Sequence, residues 1–178
     1  VIHLYEADYN MILGIKWREA LHVAEDKQLL NEGLYGSRAG RSAYEPVFLE
    51  IMQNEIYRVS GKTGIAKDLD AQACYDRILA LLASLSSRKF GIHEKVAIVN
   101  ARTLQEARFK LKTALGISSR HYQHTTAYPI HGTGQGSQNS PTIWLFIFST
   151  LFDAFEEDAY GALFESYDRK LSIRIFMV

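Results

Sequence analysis

The feature that most restricts the fold is an apolar segment, Thr142 to Phe152, which follows a polar loop rich in glycine. A helix that is apolar on all sides has to be buried, so this segment predicts a core helix that begins at Pro141 and reaches about Tyr160. The apolar run is about half as long as the roughly 20 residues that a membrane-spanning helix needs. The sequence therefore predicts a globular fold and no membrane protein.

The composition is that of a globular protein. The chain has 178 residues, of which 47% are hydrophobic and 22% are charged, and this excludes a disordered tail. Its single cysteine, Cys74, excludes a disulfide framework and a zinc site built from cysteines. The 20 Lys and Arg residues balance the 20 Asp and Glu residues, which argues against the field of a nucleic-acid binder. No basic-then-apolar leader opens the chain, so we expect an intracellular protein, in the cytoplasm or the nucleus.

Hydrophobic periodicity predicts four helices before the apolar one, and Ser118 to Ile130 favours short strands. Helices followed by scattered short strands are typical of an α+β layer fold. The first helix is expected from Asp8 or Asn10 to about Leu30, and the second from Pro46 to Gly61. The third is expected from about Tyr75 to Leu85, where Ser86 and Ser87 close it, and the fourth from His93 to Leu115, with Gly116 as its cap. The residues expected to face inward are Leu13, Trp17, Leu21 and Ala24 in the first helix and Phe48, Met52 and Ile56 in the second.

The stretch KDLDAQACYDRI, residues 67–78, is the first candidate for chemistry. Asp68 and Asp70 share one face of an extended strand, and a carboxylate at a strand end is a hard ligand that suits Mg²⁺. Asp76 falls on the opening turn of the next helix. An alternative interpretation makes Asp70 a helix N-cap and Asp76 a partner of the helix dipole.

Two glycine-rich loops are the other candidates. In GTGQGSQNSP, residues 132–141, the glycines let a backbone approach a ligand, Gln135 offers an amide, and the helix that begins at Pro141 favours phosphate at its N-terminus. In YGSRAGRS, residues 35–42, Arg38 and Arg41 offer charge-assisted bonds to phosphate. The alternatives are an ordinary helix entry and a solvated basic loop.

In this order and spacing, the three stretches resemble reverse transcriptases of the non-LTR retrotransposon and group II intron type. Residues 36–42 match the family block Gly-Phe-Arg-x-Gly-Arg-Ser except at Ser37. Asp70, Tyr75 and Asp76 fit motif A, an Asp followed at five and six residues by an aromatic residue and a second Asp. Residues 135–141 fit motif B, Gln-Gly-Ser-x-x-Ser-Pro, in full. The opening segment ADYNMILGIKWREAL and KFGI at 89–92 are also similar to the family.

The resemblance implies a right-hand polymerase with fingers and a partial palm, in which an antiparallel sheet packs on helices. Residues 1–64 would form the fingers and 65–178 the partial palm, with a fingers-like segment at about 88–130. The implied roles are Asp70 as the catalytic, metal-binding aspartate, Tyr75 beneath the incoming sugar, Gln135 and Gly136 in the nucleotide and template pocket, Arg38 and Arg41 against template or triphosphate, and Asp76 in the architecture.

The implied activity is primer extension on an RNA template with dNTPs. It uses two Mg²⁺ ions, and the primer is DNA or RNA. One aspartate cannot hold two metals, and the family supplies the other ligands from motif C, an aromatic-x-Asp-Asp, which these 178 residues do not contain. The alternating pattern of residues 171–178 predicts a strand that leads toward that motif. We therefore expect a fragment that is inactive alone and is completed by the remaining palm and thumb of a parent polyprotein.

Two other interpretations remain open. Gly134 stands where the family often has Pro, and Gln138 and Asn139 replace residues that are commonly apolar. These departures fit either a divergent lineage or a decaying copy, and a decaying copy would be a catalytically inactive remnant that at most binds nucleic acid. The other alternative is an unrelated Mg²⁺-dependent phosphohydrolase, which would keep Asp68 and Asp70 and make the motif B match a coincidence.

Overall fold

The computed structural model describes residues 4–61, 63, 71–158, 162–164 and 169–171. These residues are mostly helical with small antiparallel two-stranded sheets, so the chain is α+β in a loose sense. The helices are α1 (Ala7–Asp26), α2 (Tyr44–Ser60), α3 (Cys74–Arg77), α4 (Ala80–Lys89), α5 (Glu94–Glu106) and α6 (Ser140–Asp158). The strands are β1 (Arg108–Phe109), β2 (Lys112–Thr113), β3 (Gly116–Ile117), β4 (Tyr122–Gln123), β5 (Ala162–Phe164) and β6 (Arg169–Leu171).

The chain divides into two compact units. The first unit comprises Val1–Lys27 and Ala73–Trp144, and the second comprises Gln28–Gln72 and Leu145–Val178. Helix α6 begins in the first unit and continues in the second. In the part of the chain that the structure describes, no helix is both long enough and apolar enough to cross a membrane. The division into fingers at residues 1–64 and palm at 65–178 stays a prediction.

Helix α1 buries the apolar stripe that its periodicity predicts. Leu13, Trp17 and Ala24 are buried and Leu21 is half-buried, and the Trp17 indole Nε1–H donates to Ser87 Oγ at 3.1 Å. The predicted ends are wrong, because the helix begins at Ala7 without a side-chain cap and ends at Asp26. The polar residue Asn10, predicted as a possible cap, lies inside the helix, and its side chain bonds to the backbone of Gly136 and Gln138.

The predicted helix over residues 75–85 is in fact two helices. Ile78 and Leu79 take extended backbone, which separates α3 from α4. Ser86 and Ser87 do not close the helix but lie inside α4 and are buried, because α4 packs against α5 and Ser87 accepts the Trp17 bond. Helix α5 ends at Glu106, well before Leu115, because the chain becomes extended at Ala107.

In the second unit, the apolar prediction holds for α6 and fails for α2. Leu145, Phe146 and Phe152 of α6 are at most 1% exposed. Helix α2 has no buried residue, and the side chains predicted to face inward, which are Phe48, Met52 and Ile56, are all exposed. Helix α2 ends, as predicted, at Gly61, whose φ of +64° is left-handed.

All three strand pairs are antiparallel: β1 with β4, β2 with β3, and β5 with β6. The short strands predicted over 118–130 are confirmed by β4 alone, since β3 begins earlier, at Gly116. Gly116 has a φ of +129° and is the first residue of β3, paired with Thr113, rather than a helix cap. Of the strand predicted over residues 171–178, the structure describes only Leu171, in β6.

Candidate nucleotide-binding site

The predicted site residues fall in three places. Tyr75 lies in α3 and Gln135 and Gly136 lie in the loop that precedes α6, all in the first unit. Arg38 and Arg41 belong to the second unit. Asp70, the predicted catalytic and metal-binding residue, lies outside the described residues, as does Asp68.

Residues 73–78, which we term the motif A segment, are in direct contact with residues 132–139, which we term the motif B loop, and both lie in the first unit. The backbone N–H of Gly132 donates to the carbonyl oxygen of Ile78 at 2.7 Å, and that of Thr133 donates to the carbonyl oxygen of Tyr75 at 2.9 Å. Carbonyls at a helix C-terminus lack partners inside the helix, and here the loop supplies them. Two stretches that the sequence singles out separately therefore form one structure.

Gly132 makes this approach possible because it has no side chain. Its φ is +98°, and a Cβ at this position would overlap the carbonyl oxygen of Tyr75 and the backbone of Asp76. Any other residue would have to move the loop away from α3, so this glycine is required by a close approach as well as by its backbone conformation.

The Tyr75 ring is held edge-on against Trp144 of α6. The ring centroids are 6.2 Å apart, and the planes meet at 72°. Such edge-to-face pairs contribute about 0.5–1.5 kcal/mol beyond the area they bury. Burial raises the pKa of the Tyr75 phenol above its ordinary value, and Cys74 adds to the shift. The side chain is thus a neutral aromatic group of fixed orientation.

The loop that carries motif B is a buried polar structure rather than a solvated one. Thr133, Ser137, Asn139 and Ser140 are all at most 5% exposed. The hydroxyl of Ser140 is 2.9 Å from the carbonyl oxygen of Gly134, and the hydroxyl of Ser137 donates to Asn139 Oδ1 at 2.6 Å. These bonds fix the backbone before any ligand arrives.

Helix α1 fixes the same loop from the other side through Asn10. Its Nδ2 donates to the carbonyl oxygen of Gly136 at 3.2 Å, and its Oδ1 accepts from the backbone N–H of Gln138 at 2.8 Å. The Gln138 side chain occupies the space that a Cβ on Gly14 would need. Sequence reasoning missed Asn10 as a site residue. Its two partners lie 126 and 128 positions further along the chain, and contacts over such distances leave no local sequence pattern.

Three buried polar side-chain atoms find no hydrogen-bond partner among the described residues, and all three lie in this site. They are Asp76 Oδ1, Thr133 Oγ1 and Asn139 Nδ2. Buried polar atoms are paired in the great majority of cases, so an unpaired group requires an explanation. Their concentration in the motif A and motif B segments distinguishes this region from the rest of the described chain.

Tyr5 lies beside this cluster. Its hydroxyl is 3.5 Å from the carbonyl oxygen of Thr133. Burial, followed by the electrostatic effect of Tyr9 and then of Asp76, raises the pKa of the Tyr5 phenol to about 12. The phenol is therefore protonated and neutral at physiological pH, and it adds no charge to the site.

The cavity behind the loop is too small for a nucleotide. Its volume is about 10 Å³, and its lining includes Tyr5, Phe109 and Gly132. A cavity of this size holds about one water molecule. The Gln135 side chain lies outside this cavity, where it is exposed and makes no hydrogen bond to a described residue.

In the second unit, Arg38 and Arg41 both have partners in or near their own loop. Arg38 Nη1 donates to the carbonyl oxygens of Asn31 and Leu34 at 2.9 and 3.1 Å. The Arg41 guanidinium lies 5.4 Å from the ring centroid of Tyr35. These contacts stabilise the loop, and the role of both arginines against template or triphosphate stays a prediction.

Among the described residues, no group of three or more His, Cys, Asp or Glu side chains is placed to hold a metal ion. No family model matches this chain, and neither a curated protein nor a solved structure matches it.

Proposed function

We propose that this chain is part of the RNA-directed DNA polymerase domain of a retroelement, made of fingers and a partial palm of the right-hand type. The observation that carries the proposal is the contact between the motif A segment and the motif B loop, made by the Gly132 and Thr133 amides. A chance match of two motifs would not require them to meet. A polymerase does, because both motifs serve one incoming nucleotide.

The residue types agree with nucleotidyl transfer. This reaction depends on positioning and on neutralising charge rather than on covalent help from the protein. Mg²⁺ bound at Asp70 would supply that charge, activating the primer hydroxyl and stabilising the leaving pyrophosphate. The Tyr75 ring would support the sugar, and Gln135 and Gly136 would line the pocket for the base. In the family, motif C supplies the remaining metal ligands.

A catalytically inactive remnant that binds nucleic acid is the second candidate, and Asn139 favours it. This residue is fully buried, and its amide nitrogen has no partner among the described residues, at a position that is commonly apolar in the family. Such a group costs about 1–3 kcal/mol, as a decaying copy could tolerate. The two candidates differ in whether DNA is made.

Replacing Tyr75 with Val should relax selection against ribonucleotides. The smaller side chain leaves room for a 2′-hydroxyl, so we expect the ratio of dNTP to rNTP incorporation to fall about tenfold, or about 1.4 kcal/mol in discrimination. Primer extension by the enzyme that includes motif C measures this ratio. Tyr75→Phe is the matched control, because it keeps the ring and its edge contact with Trp144 and should leave the ratio unchanged. Equal selectivity in Tyr75→Val and the unchanged enzyme would contradict the assignment.

Replacing Gln135 with Ala should weaken dNTP binding about threefold to tenfold, the loss of one net hydrogen bond. The chain should otherwise be unchanged, because the Gln135 side chain is exposed and unbonded among the described residues. Gln123→Ala, at an exposed position in β4, is the control. A phosphohydrolase should keep its dNTP affinity in both variants, and that outcome would favour the hydrolase over the polymerase.

A further inference from the structure

The neutral net charge of the chain conceals an uneven distribution. No acidic residue lies between Glu106 and Asp153 in the sequence, whereas Arg108, Lys110, Lys112 and Arg120 all do. The four basic residues are concentrated in a short segment that the structure describes in full. The balanced composition therefore does not exclude a local surface for a polyanion.

These four residues lie on one hairpin, residues 108–123, which we term the basic arm. Strands β1 and β2 run out and β3 and β4 return, with pairs Lys112–Ile117 and Arg108–Gln123. Ser118 connects the two strand pairs, since its backbone N–H donates to the Leu111 carbonyl oxygen at 2.9 Å. The register of the β1–β4 pair differs from that of the β2–β3 pair. The segment between β3 and β4 is therefore longer than the segment between β1 and β2, and it forms a bulge that includes Arg120.

The spacing of the cations on the outgoing side is regular. Arg108, Lys110 and Lys112 occur at every second position, so an extended chain places them on one face, about 6.7 Å apart. Together with Arg120, they are exposed, and none of the four forms an ion pair with a described residue. They form a group of cations, three of them spaced two residues apart, that no described acidic residue pairs with.

Phe109, which lies between Arg108 and Lys110, packs within the arm instead. The Phe109 ring is half-buried and stacks on Tyr122 across the β1–β4 pair, with centroids 5.4 Å apart and planes at 23°. This stack braces the base of the arm. The arm thus presents cations to solvent from a base held by an aromatic contact.

We propose that the basic arm binds the phosphate backbone of a single-stranded RNA. A row of evenly spaced cations matches a linear polyanion, and release of counterions from the phosphates would drive the binding. The inference rests on the proposed function and deepens it, because it names the surface that would hold the template. It does not depend on metal, on dNTP or on Asp70.

The test is RNA binding by the 178-residue chain, measured as fluorescence anisotropy of a labelled 20-nucleotide oligo(U) in EDTA without dNTP. The arm variant is Arg108→Gln, Lys110→Gln and Lys112→Gln. The control variant changes the same net charge elsewhere, at Lys16→Gln, Arg18→Gln and Arg58→Gln, where Lys16 and Arg58 are exposed and paired with Glu19 and Glu55. We expect the arm variant to bind RNA about tenfold more weakly at 0.1 M salt. The salt slope, which is the slope of the logarithm of the binding constant against the logarithm of the salt concentration, should become shallower by about 2, at about 0.7 for each lost phosphate contact. The control should bind like the unchanged chain.

A second measurement on the unchanged chain guards against a variant that fails to fold. RNA should protect Lys110 and Lys112, but not Lys16, from acetylation, as read by mass spectrometry. Equal RNA affinity and salt slope in the arm and control variants, or no protection of Lys110 and Lys112, would overturn the inference. So would arm-dependent binding to vesicles of anionic lipid without binding to RNA, since Leu115 at the turn is fully exposed and would suit a membrane surface. Failure of the polymerase proposal would appear instead as the absence of DNA synthesis by the enzyme that includes motif C, with RNA binding intact.

Discussion

Replacing Asp70 with Asn should abolish DNA synthesis by the enzyme that includes motif C, while RNA binding stays nearly unchanged. The amide keeps the shape of the side chain but removes the negative charge that Mg²⁺ requires. We expect extension of a primer on an RNA template to fall at least about a thousandfold, equivalent to about 4 kcal/mol in the activation free energy. Single-turnover extension measures the rate, and anisotropy measures RNA binding.

Asp68→Asn is the control for this prediction. It makes the same chemical change two positions away and should keep most of the activity if Asp70 alone holds the metal. In the phosphohydrolase interpretation, the chain makes no DNA and the two aspartates act together, so both substitutions should strongly reduce the rate of phosphate ester hydrolysis. Retained extension by Asp70→Asn would remove the basis for the site assignment.

Replacing Gly132 with Ala should have the largest effect on stability among the site variants. The new Cβ would overlap the backbone of Tyr75 and Asp76, and the φ of +98° is itself unfavourable for alanine. The left-handed conformation costs about 1–2 kcal/mol, and the overlap adds about 1–3 kcal/mol. We therefore expect the free energy of unfolding to fall by about 4 kcal/mol, as measured by urea denaturation.

Gly91→Ala separates the two contributions. Gly91 has nearly the same φ, +96°, but nothing lies within 4 Å of the Cβ that it would gain. We expect Gly91→Ala to cost only the conformational part, about 1–2 kcal/mol, and to leave dNTP binding unchanged. If the two variants lost the same stability and both bound dNTP normally, the close approach of the motif B loop to α3 would be contradicted.

The parts of the fold that could be predicted are those in which one element carries its own signal. The stripe of α1 and the uniformly apolar α6 are examples, because burial follows from the periodicity or from the composition alone. The inward face of α2 could not be predicted correctly, because its periodicity indicates an apolar face but not whether anything covers it. The C-terminus of α5 was missed because tertiary pairing of the basic arm takes precedence over helix propensity.

The roles of the predicted site residues stay predictions, and the contacts that build this region could not be predicted from the sequence. Motif spacing identified Tyr75 and the loop around Gln135, and the structure brings the two segments together. The contacts that hold the loop, through Asn10 and through main-chain amides, join positions far apart in the sequence. Every residue except proline has a backbone amide, so the sequence does not indicate which amides make these contacts.

The most direct test of the account is to locate where a nucleotide binds this chain. A photoreactive dATP analogue, with Mg²⁺, should label peptides that contain Tyr75 and residues 132–141, and unlabelled dATP should compete. This is the result predicted if the motif A and motif B segments form one nucleotide site. Labelling that dATP does not displace, or displaceable labelling of other peptides only, would contradict the central claim.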